Sequence, residues 1–275
     1  MSATVRPVIW LLLFLSLVVI GTVLLSISGL IPVRENIYPG IVPGDESGVR
    51  DVTHRFSYCS QDHAVTVPVE TAVYLGAKRS PKEARMYSKM SPEEMMQEYY
   101  SAFIFDGCQE GLYGEILADL RSIRDESGLD DDEYLELLAV FVQSLPFEGE
   151  FNETGVKFPV ETIVEGGDCD DRSALLIGLM TREGYDAALL VFDGKFHTAV
   201  GVRDGSGAGE YGGYAYIETT VVMPVGVKAV ALANGDVLDI EPLVIRFGDG
   251  TRCYHGRGED PGQRRAGEGP QGIVP

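Results

Sequence analysis

Basic side chains, histidine, cysteine and tryptophan are all scarce in this 275-residue chain. It has 22 Lys and Arg against 42 Asp and Glu, a net charge of −20, and only four His, four Cys and one Trp. The shortage of positive charge excludes nucleic acid and anionic lipid surfaces as partners, because phosphate recognition rests on basic patches. An acidic, soluble surface is the plain reading of that charge. No internal repeat is visible, so repeat architectures are set aside. The length allows one domain of ordinary size plus appendages.

Charge is missing altogether from Pro7 through Ile31. A run of that length spans a hydrocarbon core of roughly 30 Å, and Trp10 sits near one edge, where an indole prefers the interface. No Ala-x-Ala cleavage site follows, so residues 1–35 read as an uncleaved anchor that leaves the remainder outside the cell. In that compartment Cys59 and Cys108 could pair as a disulfide, which is one option among four cysteines.

Residues 36–49, with Pro39-Gly40 and Pro43-Gly44, read as a linker. Residues 50–90 form a β-rich segment, with strands expected at Val52–Tyr58 and Ala64–Val69. Residues 91–250 hold the main domain, and residues 251–275, rich in Gly, Pro, Arg and acids, read as a disordered tail. Within the main domain Ser91-Pro92-Glu93-Glu94 starts a helix. A second helix runs from Leu112 to about Ser127 and is ended by Gly128. The acid run Asp130–Glu133 opens a third, read as a helix start rather than a metal site, and Pro146 closes it. Residues 147–167 are a long connection. Strands are expected at Asp186–Phe192, Lys195–Val202 and Tyr214–Thr220, with more β-rich sequence at Val225–Leu232 and Val237–Phe247. Helices first and an antiparallel sheet afterwards make an α+β fold.

The chain is organised around Gly166-Gly167-Asp168-Cys169-Asp170-Asp171-Arg172-Ser173 and the apolar helix that follows. Asp168 is an N-cap, Asp171 completes a capping box, and Gly184 supplies the stop. Cys169 then lies in the first turn of a buried helix, where the backbone N–H groups and the macrodipole favour a thiolate. Most free cysteines only pack, and Asp168, Asp170 and Asp171 oppose ionisation, so a cationic partner is required. His255 falls in the tail, and His54 and His63 in the N-terminal β segment. His197 remains, on a strand just after the cysteine helix. Pairing that strand with Gly213–Thr220 so that Val202 faces Gly213 sets His197 opposite Glu218, on one face. An imidazole can take the thiol proton, a carboxylate can hold the imidazole, and the Cys169 amide N–H can meet an oxyanion. A metal site built from Asp168, Asp170, Asp171 and Cys169 is the weaker reading, since consecutive acids on a helix point apart. No metal or other cofactor is expected.

The stretch Gly167–Leu176, the later His197 and Tyr216-Ile217-Glu218-Thr219-Thr220 together resemble the transglutaminase-like superfamily of papain-type cysteine enzymes. Phe141–Phe147 and Phe158–Thr162 resemble the lead-in of its prokaryotic members, membrane-anchored archaeal ones above all. The resemblance covers residues 130–222. It implies a cysteine-bearing central helix packed on an antiparallel sheet, with Cys169 as nucleophile, His197 as base and Glu218 as third member, where the family usually has Asp. Gln143 is an auxiliary candidate for the oxyanion, as glutamine is in papain-type enzymes, or else a structural residue. The implied activity is cysteine-dependent acyl transfer on peptide or amide bonds, with hydrolysis favoured over cross-linking. The alternative is a non-catalytic module of the same fold that binds a peptide or an envelope component.

Overall fold

A helix that is apolar nearly all round has to be enclosed, and every residue from Asp171 to Met180 is buried in the helix Cys169–Arg182. In the computed structural model, which describes residues 5–27, 35–148, 155–228 and 237–256, this helix is the seventh of seven α-helices. The helices are α1 (Val5–Ile27), α2 (Thr71–Arg79), α3 (Pro92–Ile104), α4 (Glu110–Ser127), α5 (Asp131–Gln143), α6 (Pro159–Glu165) and α7 (Cys169–Arg182). Among the described residues the strands are β1 (Val49–Tyr58), β2 (Gln61–Glu70), β3 (Ala187–Phe192), β4 (His197–Arg203), β5 (Tyr214–Ile217) and β6 (Leu243–Arg246). The fold is mixed α+β with antiparallel sheets, as the order of elements in the sequence implies.

The chain divides into two units. Residues 1–37 and 84–89 form one, which contains α1 and a short bridge between Ile37 and Arg85. Asn36 closes that bridge by accepting from the Tyr87 and Ser88 amides. Among the described residues no helix is long and apolar enough to cross a membrane; the side chains described in α1 are those of residues 10–24.

Residues 38–83 and 90–275 form the second unit, so β1 and β2 share a unit with the main domain, while residues 84–89 of the expected β-rich segment belong to the first. The β1–β2 hairpin buries Phe56, Tyr58, Val65, Val67 and Val69 against α4 and α5. The expected linker is pinned as well: Ile41 is buried and its amide donates to Asp106 at 2.8 Å. All four cysteines are free thiols, Cys59 and Cys108 included, so the candidate disulfide is absent. The tail beyond residue 256 and residues 229–232 of the expected strand Val225–Leu232 lie outside the described residues; residues 225–226 form a turn and 227–228 are not strand.

The starts of α3 and α5 follow local chemistry. Ser91 and Asp130 each cap their helix, and Glu94 and Glu133 reciprocate as capping boxes. The four-stranded sheet runs β5-β4-β3-β6, and α7 packs on β3 and β4 with α3, α4, α5 and α6 around it. Gly178 allows α4 to approach, since a Cβ there would sit 2.2 Å from the Tyr113 hydroxyl oxygen. α2 and α6 are additions to the elements expected from sequence.

Asp186, just ahead of β3, is buried and accepts from Arg203 Nε at 3.1 Å, Arg246 at 3.0 Å and the Tyr214 hydroxyl at 2.8 Å. One carboxylate therefore ties all four strands together. Removing it leaves two guanidinium groups without their shared acceptor, although both arginines retain some contact with water. Asp186→Ala is expected to lower unfolding free energy by about 2–3 kcal/mol, below the buried-pair range because of that solvent access. Urea titration checks this, and a loss under about 1 kcal/mol would show that the strands do not rely on it.

Candidate active site

Asp168 ends the approach to α7 in an extended conformation, and its Oδ1 accepts from the amides of Asp170 at 3.0 Å and Asp171 at 3.2 Å. Asp171 Oδ2 in turn accepts from the Asp168 amide at 3.2 Å, completing the capping box read from sequence. The cap occupies two of the first N–H groups of the helix. The Cys169 amide has no acceptor among the described residues. Gly184 follows the helix with φ +81°, the left-handed stop expected there.

The Cys169 thiol is partly buried beside Asp170 Oδ1, at 3.9 Å, and Thr198, the second residue of β4. Burial, followed by the charges of Asp170 and Asp168, pushes this thiol up to about 12, against a smaller opposing effect of Thr198. Asp170 is itself raised, chiefly by burial, while the Thr198 hydroxyl donates to it at 2.7 Å and His197 also draws it down. Asp171 is raised to about 7, by burial first and the Asp168 charge second, although the Lys157 amide donates to it at 2.6 Å.

His197 opens β4, and its ring lies against Phe192 with centroids 5.9 Å apart. Its Nε2 stands 3.5 Å from Glu218 Oε2 and 3.3 Å from the Tyr216 hydroxyl. The strand pairing that brings them together differs from the expected one: Val202 faces Ala215, not Gly213. Gly212 and Gly213 both adopt positive φ, at 62° and 87°, and turn the chain before the ladder begins, so the register slips by two residues. A slip of two keeps every side chain on its face, and His197 and Glu218 still meet, diagonally.

Glu218 is buried just past β5. Its Oε1 accepts from the Thr219 amide at 3.0 Å, the Thr220 amide at 2.9 Å and the Thr220 hydroxyl at 2.6 Å, and its Oε2 from Tyr216 at 2.5 Å. Burial alone would raise its pKa. The opposing contacts of His197, Thr220 and Tyr216 prevail and hold it at about 2.

Two residues position this carboxylate. Gln143, at the end of α5, donates to the carbonyls of Glu218 at 2.8 Å and Met223 at 3.1 Å, while its Oε1 accepts from the Met223 amide at 3.2 Å. Its amide is engaged at both ends, so it holds the Glu218 segment and offers no donor to an oxyanion. Arg172 was not singled out by sequence pattern. It is buried one turn into α7 and donates to the carbonyls of Leu145, Thr219 at 2.9 Å, Thr220 at 3.1 Å and Gln143 at 3.4 Å. Burial lowers its pKa to about 10, and Asp168, Glu218, Asp171 and Cys169 oppose that shift. An arginine one turn into an otherwise apolar helix was the available signal, since a buried guanidinium must find several acceptors.

His197 and Glu218 thus meet at the start of β4, and Cys169 borders the same strand end through Asp170, which the Thr198 hydroxyl also reaches. No hydrogen bond joins the thiol to the imidazole. Among the described residues no cluster of His, Cys, Asp and Glu is arranged to hold a metal.

A small alkylating reagent reads the thiol directly. At about pH 8 iodoacetamide is expected to modify Cys169 more slowly than the exposed Cys59, with a rate that keeps climbing on the alkaline side. Asp170→Asn keeps the Thr198 bond and removes the nearer charge, so the curve moves to lower pH by about one unit. Peptide mapping against pH measures both, and an unmoved curve would mean that Asp170 does not govern the thiol.

Comparison of the chain with protein-family models, with characterised proteins and with solved structures finds no match in any of the three, so the functional reading rests on the geometry above.

Proposed function

We propose that this chain is a cysteine-dependent acyl-transfer enzyme of the transglutaminase-like type, acting on peptide or amide bonds through Cys169, His197 and Glu218, with hydrolysis favoured. The observation that carries this reading is the buried His197–Glu218 pair at 3.5 Å beside the helix turn that bears Cys169. The thiol is protonated at rest, so the reaction starts with the proton on sulfur. His197 Nε2 faces Glu218 and Tyr216, which leaves Nδ1 to accept the thiol proton as sulfur attacks the carbonyl carbon. The Cys169 amide N–H donates to the oxyanion. Collapse breaks the C–N bond, and the amine leaves with the proton held on His197. Water then attacks the thioester, His197 takes its proton, and the acid and the free thiol are released. Hydrogen bonds of this kind are commonly long in a resting site and tighten once substrate is bound, which is the step asked of the thiol and imidazole here.

The uncharged run from Pro7 through Ile31 supports a membrane anchor with the catalytic unit outside the cell. One observation favours a second reading. A thiol pushed up to about 12 by burial and acidic neighbours suits a module that binds a peptide or envelope component without turnover.

A substrate-like electrophile separates the two. Dipeptidyl chloromethyl ketones are expected to label Cys169 near neutral pH faster than they label Cys59, and His197→Ala to abolish the advantage, a loss of roughly hundredfold or more. If Cys169 is the slower thiol with these reagents too, and His197→Ala changes nothing, the enzyme reading fails and the binding module stands.

A further inference from the structure

The contact between His197 and Glu218 is unusual in having a third group across it. Tyr216, in β5, lies two residues before Glu218, and its hydroxyl oxygen is 2.5 Å from Glu218 Oε2 and 3.3 Å from His197 Nε2. The direct approach of the imidazole to the carboxylate is longer, 3.5 Å. Hydrogen bonds to a carboxylate are ordinarily shorter than about 3.2 Å, so the tyrosine, not the imidazole, makes the short bond.

Proton counting then sets the direction of every link. Glu218 is ionised and can only accept. Tyr216 keeps its proton, because burial first and the Glu218 charge second hold its pKa well above the ordinary range. Its single O–H points at Glu218, so its oxygen must accept from the other neighbour. The proton of the neutral imidazole is therefore on Nε2, and Nδ1 carries the lone pair.

We infer that Tyr216 is a positioning residue that bridges His197 and Glu218, an N–H···O–H···O⁻ chain that fixes the imidazole in the tautomer able to take a proton from Cys169. This rests on the thiol chemistry proposed above. Glu218 cannot replace the bridge by swinging inward. Its Oε1 is held by the Thr219 and Thr220 amides and the Thr220 hydroxyl, and its backbone carbonyl by Gln143. The tyrosine ring has its own support in Phe192 and Tyr211, with centroids 6.3 and 6.4 Å away, so losing the hydroxyl leaves the packing in place.

The test is Tyr216→Phe in the full chain, held in detergent and labelled with ¹⁵N at histidine. Ring-nitrogen shifts are expected to place the proton of neutral His197 on Nε2 in the unaltered protein and to show a mixture of tautomers in the variant. Labelling of Cys169 by the peptidyl ketone should fall about tenfold, part of the roughly hundred- to ten-thousand-fold that a positioned base contributes. A Tyr216→Phe protein that keeps the single Nε2–H tautomer would overturn the bridge and leave Tyr216 a packing residue. The tautomer signal needs no turnover. Labelling of the unaltered protein that ignores His197→Ala would remove the enzyme reading, while the nitrogen shifts still decide the place of Tyr216.

Discussion

A buried guanidinium is costly to place unless nearly every donor finds an acceptor, and that requirement organises the middle of this molecule. Arg172 meets it in large part through its two terminal nitrogens, which donate to carbonyls from two segments far apart in sequence: the end of α5, through Gln143 and Leu145, and the residues after β5, through Thr219 and Thr220, while its Nε is buried without an acceptor. Since Arg172 belongs to the same helix as Cys169, the bonds that satisfy it also set Glu218 at a defined distance from the sulfur's helix turn. Gln143 works in the same direction from α5, and Phe147 covers the guanidinium with its ring 5.2 Å away. The carboxylate is placed by what the arginine needs.

Two opposite charge environments adjoin across the start of β4. On the α7 side, Asp170 and Asp168 act on a thiol with burial working in the same sense, and the thiol stays protonated. On the other side a glutamate sits in a nest of donors and stays ionised. The contrast is one of satisfaction more than depth, since both groups are largely buried. Glu218 receives four short hydrogen bonds, whereas Cys169 has a carboxylate for its nearest polar neighbour. Helix position alone did not decide the ionisation of Cys169. The macrodipole contributes roughly 1 kcal/mol at a helix end, which desolvation and the charges of Asp170 and Asp168 exceed.

What could be read from the chain divides along physical lines. Caps are local chemistry, and Ser91, Asp130 and Asp168 were legible because the side chain and the amides that it serves lie within three residues. The α+β order was legible from the change of period after Gly184. α6 was not, because a seven-residue helix offers barely two turns of pattern in a long connection. The β4–β5 register missed by two because two consecutive glycines in left-handed conformation absorb residues that the alternation of side chains cannot count. Parity survived that error, and with it the meeting of His197 and Glu218. Arg172 and Tyr216 stayed hidden for a shared reason: each is defined by acceptors or donors that only the tertiary fold supplies.

The N-cap gives the last step. Asp168 takes the amides of residues 170 and 171, and the amide of Cys169 is left over. Those capped amides are the donors that would otherwise stabilise a thiolate, so the cap and the acid collar both work against charge on sulfur at rest. In the proposed reaction the uncapped amide is the donor assigned to the carbonyl oxygen as it acquires charge. In the proposed reaction the helix end is therefore arranged for charge on the substrate oxygen rather than for a standing thiolate. A site of that design gains its advantage only with an acyl group in place, which accords with a thiol held protonated at rest by burial and its acidic neighbours.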